Sequence, residues 1–181
     1  MLKRKTNAAV SLLTTILLLA HAILLSVYML SGGRTVKPAE FMGWALMGLM
    51  MLHALISIDM AISAHEETGK REGKQYPKLN VSINIQRATG LLMLPGAVLH
   101  ILGATGVMVP PKAVHAIVPP LFFAIVLLHA ALSTGKSLIT LGIGNTKVIK
   151  VVNIVMAVFC GATLIAGVIG IYLRTFVEGA A

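Results

Sequence analysis

The 181-residue chain is 57% apolar and only 12% charged, with a mean hydropathy of +0.89, a balance that excludes an ordinary soluble domain. Its net charge of +9 sits in short clusters between long apolar runs, which argues for a bilayer-threaded chain and against a nucleic-acid-binding surface. The single cysteine, Cys160, lies inside an apolar run, so neither a disulfide framework nor a cysteine-built zinc or iron-sulfur site is available. Any metal is left mainly to histidine.

Crossing a hydrocarbon core of about 30 Å takes roughly 20 apolar residues of helix, because irregular backbone cannot satisfy its polar groups in lipid. Five stretches qualify, at about 6–30, 40–64, 84–109, 113–136 and 148–173. They predict an all-α integral membrane bundle of five transmembrane helices forming a single domain over 1–181. The first run follows Lys3, Arg4 and Lys5 and passes Ala20-His21-Ala22, a pattern that also suits a secretory leader. Because the apolar run continues to Leu30, it is read as a span. Ser31-Gly32-Gly33 follows it, a charged segment over 66–78 separates the second and third spans, and Pro110-Pro111 and Gly142-Ile143-Gly144-Asn145 punctuate the later connections.

Lysine and arginine set the direction of threading. The N-terminus and the second and fourth connections carry eleven: Lys3, Arg4, Lys5, Lys70, Arg71, Lys74, Lys78, Arg87, Lys136, Lys147 and Lys150. The other side has four, Arg34, Lys37, Lys112 and Arg174. This asymmetry predicts a cytoplasmic N-terminus and an external C-terminus.

Four histidines fall inside spans, one each on the first four: His21, His53, His100 and His129. A polar ring in hydrocarbon needs a partner and usually marks function. His21 is about 15 residues and His100 about 16 from the inner ends of their spans, roughly 22–24 Å at about 1.5 Å per residue. His53 and His129 are about 13 and 16 residues below the outer ends, roughly 20–24 Å. Two depth-matched pairs result, one in each half of the bilayer. Imidazoles at equal depth on different helices can bind opposite faces of one haem iron, so two levels imply two haem b groups. Gly43, Gly48, Ala54, Gly90, Gly96, Ala97, Gly103, Ala104, Ala130 and Ala131 leave room for flat macrocycles, and Pro95 can bend the third span. A lone histidine more often just hydrogen-bonds a neighbouring helix, but pairing of four by depth weighs against that. A transporter's proton relay would bring acidic partners, and Asp59 is the only carboxylate well inside a predicted span; no internal repeat supports a transporter either.

The run Ile85-Gln86-Arg87-Ala88-Thr89-Gly90 with His100 ten residues after the glycine resembles the Gln-x-x-Thr-Gly lead-in to a haem-binding helix. That pattern is found in the dihaem cytochrome b membrane-anchor subunits of succinate dehydrogenases and fumarate reductases. Pro120-Leu121-Phe122 leading to Leu128-His129 is similar to the Pro-Leu-Tyr run before that family's last ligand. The resemblance covers nearly the whole chain, including the order of ligands and a fifth span without one. It implies that His53 and His129 hold the haem nearer the cytoplasm and His21 and His100 the outer one. It also implies flavoprotein and iron-sulfur subunits on the cytoplasmic face and electron passage to or from a membrane quinone, menaquinone or ubiquinone. The cytoplasmic membrane of a prokaryote is the expected location. This chain would be the quinone-reactive subunit of the oxidoreductase, with no dicarboxylate site of its own. One departure stands out: Leu127 and Leu128 precede the last ligand, where some members carry a glutamate linked to proton movement. A dihaem anchor of a different oxidoreductase is the neighbouring alternative, and a non-redox transporter the more distant one.

Haem propionates need cationic or hydrogen-bonding partners. Arg87, Lys136 and Ser133 are candidates for the inner haem and Arg34 and Lys112 for the outer, although cations at these positions also serve as topology anchors. A quinone site needs an amphipathic pocket with a titratable group. Glu40 at the outer mouth of the second span, with Trp44 and His115, is one candidate; Asp59 with His65 and Arg87 is the inner alternative. Trp44 also suits an interfacial belt, and His65 and His115 suit solvated loops. The ten methionines are read as packing. The charged segment His65 to Lys78 could dock a soluble partner or simply be a solvated loop.

Overall fold

The computed structural model describes residues 2–31, 37–68, 77–108, 111–173 and 176. Five helices follow one another: α1 Leu2–Leu30, α2 Lys37–Thr68, α3 Pro77–Ala104, α4 Lys112–Thr140 and α5 Thr146–Tyr172. Each is long and apolar enough to cross a membrane, and the described residues contain no strand. The chain is a multi-pass membrane protein whose solvent over most of its length is lipid.

The helices outrun the apolar stretches, chiefly at one end of the bundle. α1 starts at Leu2, α2 runs on to Thr68, α3 begins at Pro77 and α4 continues to Thr140. Backbone hydrogen bonding does not stop where side chains become polar, so hydropathy underestimates helices that project beyond the hydrocarbon. α3 instead stops early, at Ala104, where Gly106 takes a φ of +73° that a side chain would disfavour. α4 ends in a paired turn: Gly142 N–H donates to the Ile139 carbonyl at 3.0 Å and Ile143 N–H to that of Leu138 at 3.0 Å, with Gly142 at φ +101°. Three residues on, Asn145 caps α5, its Oδ1 accepting from Lys147 N at 3.0 Å and Val148 N at 3.3 Å.

α1, α4 and α5 pack against one another, while α2 lies chiefly on α1 and α3 chiefly on α4. Leu18, Leu46, Val126, Leu127, Ala130, Met156 and Cys160 form the buried centre. Small residues let the backbones close: Gly135 receives Asn153, and Gly167 receives Phe123. The most apolar stretches of α1, α4 and α5 are 22% buried, those of α2 and α3 only 6%. Thus α2 and α3, which carry His53 and His100, are the helices with the least protein around them.

Cross-helix contacts fix the register. Between α1 and α2, Lys3 Nζ meets Asp59 Oδ2 at 2.9 Å, Asn7 and Ser57 exchange side-chain hydrogen bonds at 3.2 and 3.3 Å, and Gly43 lies against His21. Between α3 and α4, Lys136 Nζ donates to Gln86 Oε1 at 2.8 Å, Thr89 meets His129, and Gly96 receives Phe122. Lys3, Asp59, Gln86 and Lys136 therefore share one end of an antiparallel bundle.

A candidate metal centre between the spans

The His53 and His129 rings meet edge to face between α2 and α4, their centroids 6.4 Å apart and their planes at 70°. His53 Nδ1 is buried with no hydrogen-bond partner. An orphaned buried polar atom costs about 1–3 kcal/mol, which makes His53 Nδ1 a candidate contact for a bound group. His129 Nδ1 lies 3.0 Å from Thr89 Oγ1. The Thr89 hydroxyl is also 2.8 Å from the Ile85 carbonyl and 3.0 Å from that of Gln86. A side chain at Gly90 would put its Cβ 3.1 Å from His129 Cε1, so the ring rests directly on the backbone of α3.

The second pair is related to the first by register. His53 is one turn from Ser57, which pairs with Asn7, and shares a cavity lining with Ser11. His21 lies ten residues beyond Ser11, or about 15 Å along α1. His129 is level with Gly90, and His100 lies ten residues beyond Gly90, again about 15 Å. His21 and His100 consequently occupy a common second level. There the His100 ring stacks at 31° on Phe122 with centroids 5.7 Å apart. The His21 ring abuts Gly43, where an added Cβ would stand 3.4 Å from Cε1.

Beneath His53 a cavity of about 160 Å³ is lined by Arg4, Asn7, Ser11, Gln86 and Lys136 among others. It is polar and cationic, and suits a carboxylate. Lys136 is one of the sequence-derived candidates for that role; Arg4, Asn7 and Gln86 were not singled out for it. Ser133 is buried one turn from His129, its hydroxyl donating to the Ala130 carbonyl at 3.2 Å. Arg87 is exposed and does not line this cavity.

The quinone candidates are dispersed. Glu40 and Trp44 lie one turn apart at the start of α2, both exposed. Asp59, expected well inside a span, instead pairs with Lys3 at the bundle end, with 53% of its side chain exposed. Arg34 and the side chains of His65, Lys112 and His115 fall outside the described residues. Among the described residues no group of three or more His, Cys, Asp or Glu side chains converges. Comparisons with protein-family models, with curated proteins and with solved structures found no match for the chain.

Proposed function

We propose that this chain is the membrane-anchoring, dihaem cytochrome b subunit of a succinate dehydrogenase or fumarate reductase complex in a prokaryotic cytoplasmic membrane. One observation carries the reading above the rest: His53 and His129 oppose each other at 6.4 Å between centroids. A metal–imidazole bond of about 2 Å on each side, plus roughly 1 Å from each nitrogen to its ring centre, requires a separation of about 6 Å. The buried His53 Nδ1 without a protein partner and the glycines beneath His129 and His21 fit the same use. His53 and His129 would hold the inner haem, His21 and His100 the outer.

Bound haem supplies one-electron ferric/ferrous exchange. The chain's own residues would hold the groups at two histidine levels about 15 Å apart along the helices, with apolar spans excluding water and cations at the bundle end available to the propionates. Arg4 and Lys136 are favoured for the inner propionates by their place under His53. Quinone reduction takes two electrons and two protons, so its site needs a titratable group at a membrane face, for which Glu40 and Asp59 remain the candidates. The cytoplasmic N-terminus follows from the lysine and arginine asymmetry, and it turns the charged ends of α2 and α3 toward the flavoprotein and iron-sulfur partners.

Purification of the complex from native membranes tests this reading. A reduced-minus-oxidised b-type spectrum together with a copurifying flavoprotein and iron-sulfur protein is expected. Haem with a different soluble partner would transfer the chain to another oxidoreductase, and a preparation without haem would end the cytochrome reading.

A further inference from the structure

A threonine hydroxyl has one hydrogen to donate and lone pairs to accept with. In Thr89 the geometry commits that hydrogen. Its oxygen lies 2.8 Å from the Ile85 carbonyl and 3.0 Å from the Gln86 carbonyl, and neither of those oxygens can donate. Were the hydrogen turned toward His129 instead, Thr89 and Ile85 would face each other oxygen to oxygen at 2.8 Å. The remaining lone pair of Thr89 therefore faces His129 Nδ1 at 3.0 Å, and only a protonated Nδ1 can bond to it. Thr89 is 7% exposed, so water does not compete. The next residue, Gly90, clears the space in which the ring lies, since its missing Cβ would stand 3.1 Å from Cε1. One residue orients the imidazole and its neighbour makes room for it.

We propose that Thr89 is the positioning residue for His129: by accepting the Nδ1 hydrogen it fixes the tautomer and the ring plane, leaving Nε2 as the donor atom for the metal shared with His53. The role rests on the dihaem reading above. A hydrogen bond from the distal ring nitrogen raises ligand basicity and locks orientation, so Thr89 tunes the inner haem and has no contact with the outer one. Oxidised iron, the more electron-poor form, gains most from the more basic imidazole.

The test compares the full-length protein carrying Thr89→Val, which keeps the shape and removes the acceptor, with Thr89→Ser, which restores the hydroxyl. In Thr89→Val the reduction potential of one haem rises while that of the other stays put. The low-spin ferric EPR signal of the same haem also moves, because its anisotropy follows the angle between the two imidazole planes. Thr89→Ser behaves as wild type in both measurements. Should Thr89→Val lose the inner haem altogether, Thr89→Ser retaining it with wild-type potentials still supports the role, whereas Thr89→Ser failing alike overturns it. Unchanged potentials and EPR in a Thr89→Val protein holding both haems also overturn it. Independently of haem, ¹⁵N-histidine NMR of the haem-free chain is expected to find His129 protonated at Nδ1 in wild type and a mixture of tautomers in Thr89→Val; the same tautomer in both rejects Thr89 as its cause. A wild-type protein without haem would instead sink the dihaem reading, and the NMR comparison would still judge Thr89.

Discussion

The two histidine levels are built differently. At the inner level His53 and His129 stand ring to ring, Thr89 bonds to one of them, and a cationic cavity opens beneath the other. At the outer level His100 rests on Phe122 and His21 on Gly43. The inner pair is flanked by cross-helix polar contacts, Asn7 with Ser57 and Gln86 with Lys136, whereas aromatic stacking and small residues shape the outer one. Chemically similar histidines thus carry different surroundings at the two levels. Because hydrogen bonding and local charge tune haem potentials, the two levels are expected to have unequal potentials.

The largest effect that would break this comparison is ligand removal. His129→Ala should take the chain from two haems to one, the survivor keeping the outer haem's potential, and His21→Ala should do the converse; pigment content with a redox titration checks both. Loss of both haems in either variant would show the levels to be one cooperative unit. Next come the glycine seats. Gly90→Ala pushes a Cβ to 3.1 Å from His129, while Gly43→Ala brings one to an ordinary 3.4 Å from His21. Overpacking of the first kind costs about 1–3 kcal/mol, so Gly90→Ala should weaken inner-haem retention roughly tenfold, whereas Gly43→Ala leaves the outer haem in place. Haem release during dilution measures the difference. Ser57→Ala, which removes the Asn7–Ser57 link between α1 and α2, should destabilise by about 0.6 kcal/mol, read from unfolding in detergent. Smallest is Asp59→Asn. The Lys3–Asp59 pair is 73% and 53% exposed, and its loss should change stability by less than about 1 kcal/mol without altering haem content.

Much of this architecture was legible in the residues. Five apolar runs became five helices because lipid leaves the backbone few other choices. The depth pairing of the histidines needed only the helical rise, and of the two pairs it named the structure shows a ring contact for His53 and His129. Helix ends were less legible: α2 and α4 continue past their apolar stretches to Thr68 and Thr140, where hydropathy falls but hydrogen bonding persists. Azimuth was hidden as well. Gln86 and Arg87 differ by one step, about 100° around a helix, and it is Gln86 that turns toward the cavity under His53. Thr89 stood inside the recognised Gln-x-x-Thr-Gly run, but its partner lies 40 residues away on α4, and no local pattern reports that bond. Asp59 read as lying well inside a span because its neighbours are apolar, although in the structure it pairs with Lys3 near the start of α1.

The account depends on two metal-bridged imidazole couples stacked along the bundle, and counting haem in the purified wild-type chain tests that most directly. Two b-type haems per polypeptide, both low-spin with histidine on each face, is the expected result. One haem, none, or a pair that survives in the His53→Ala, His129→Ala double variant would contradict it.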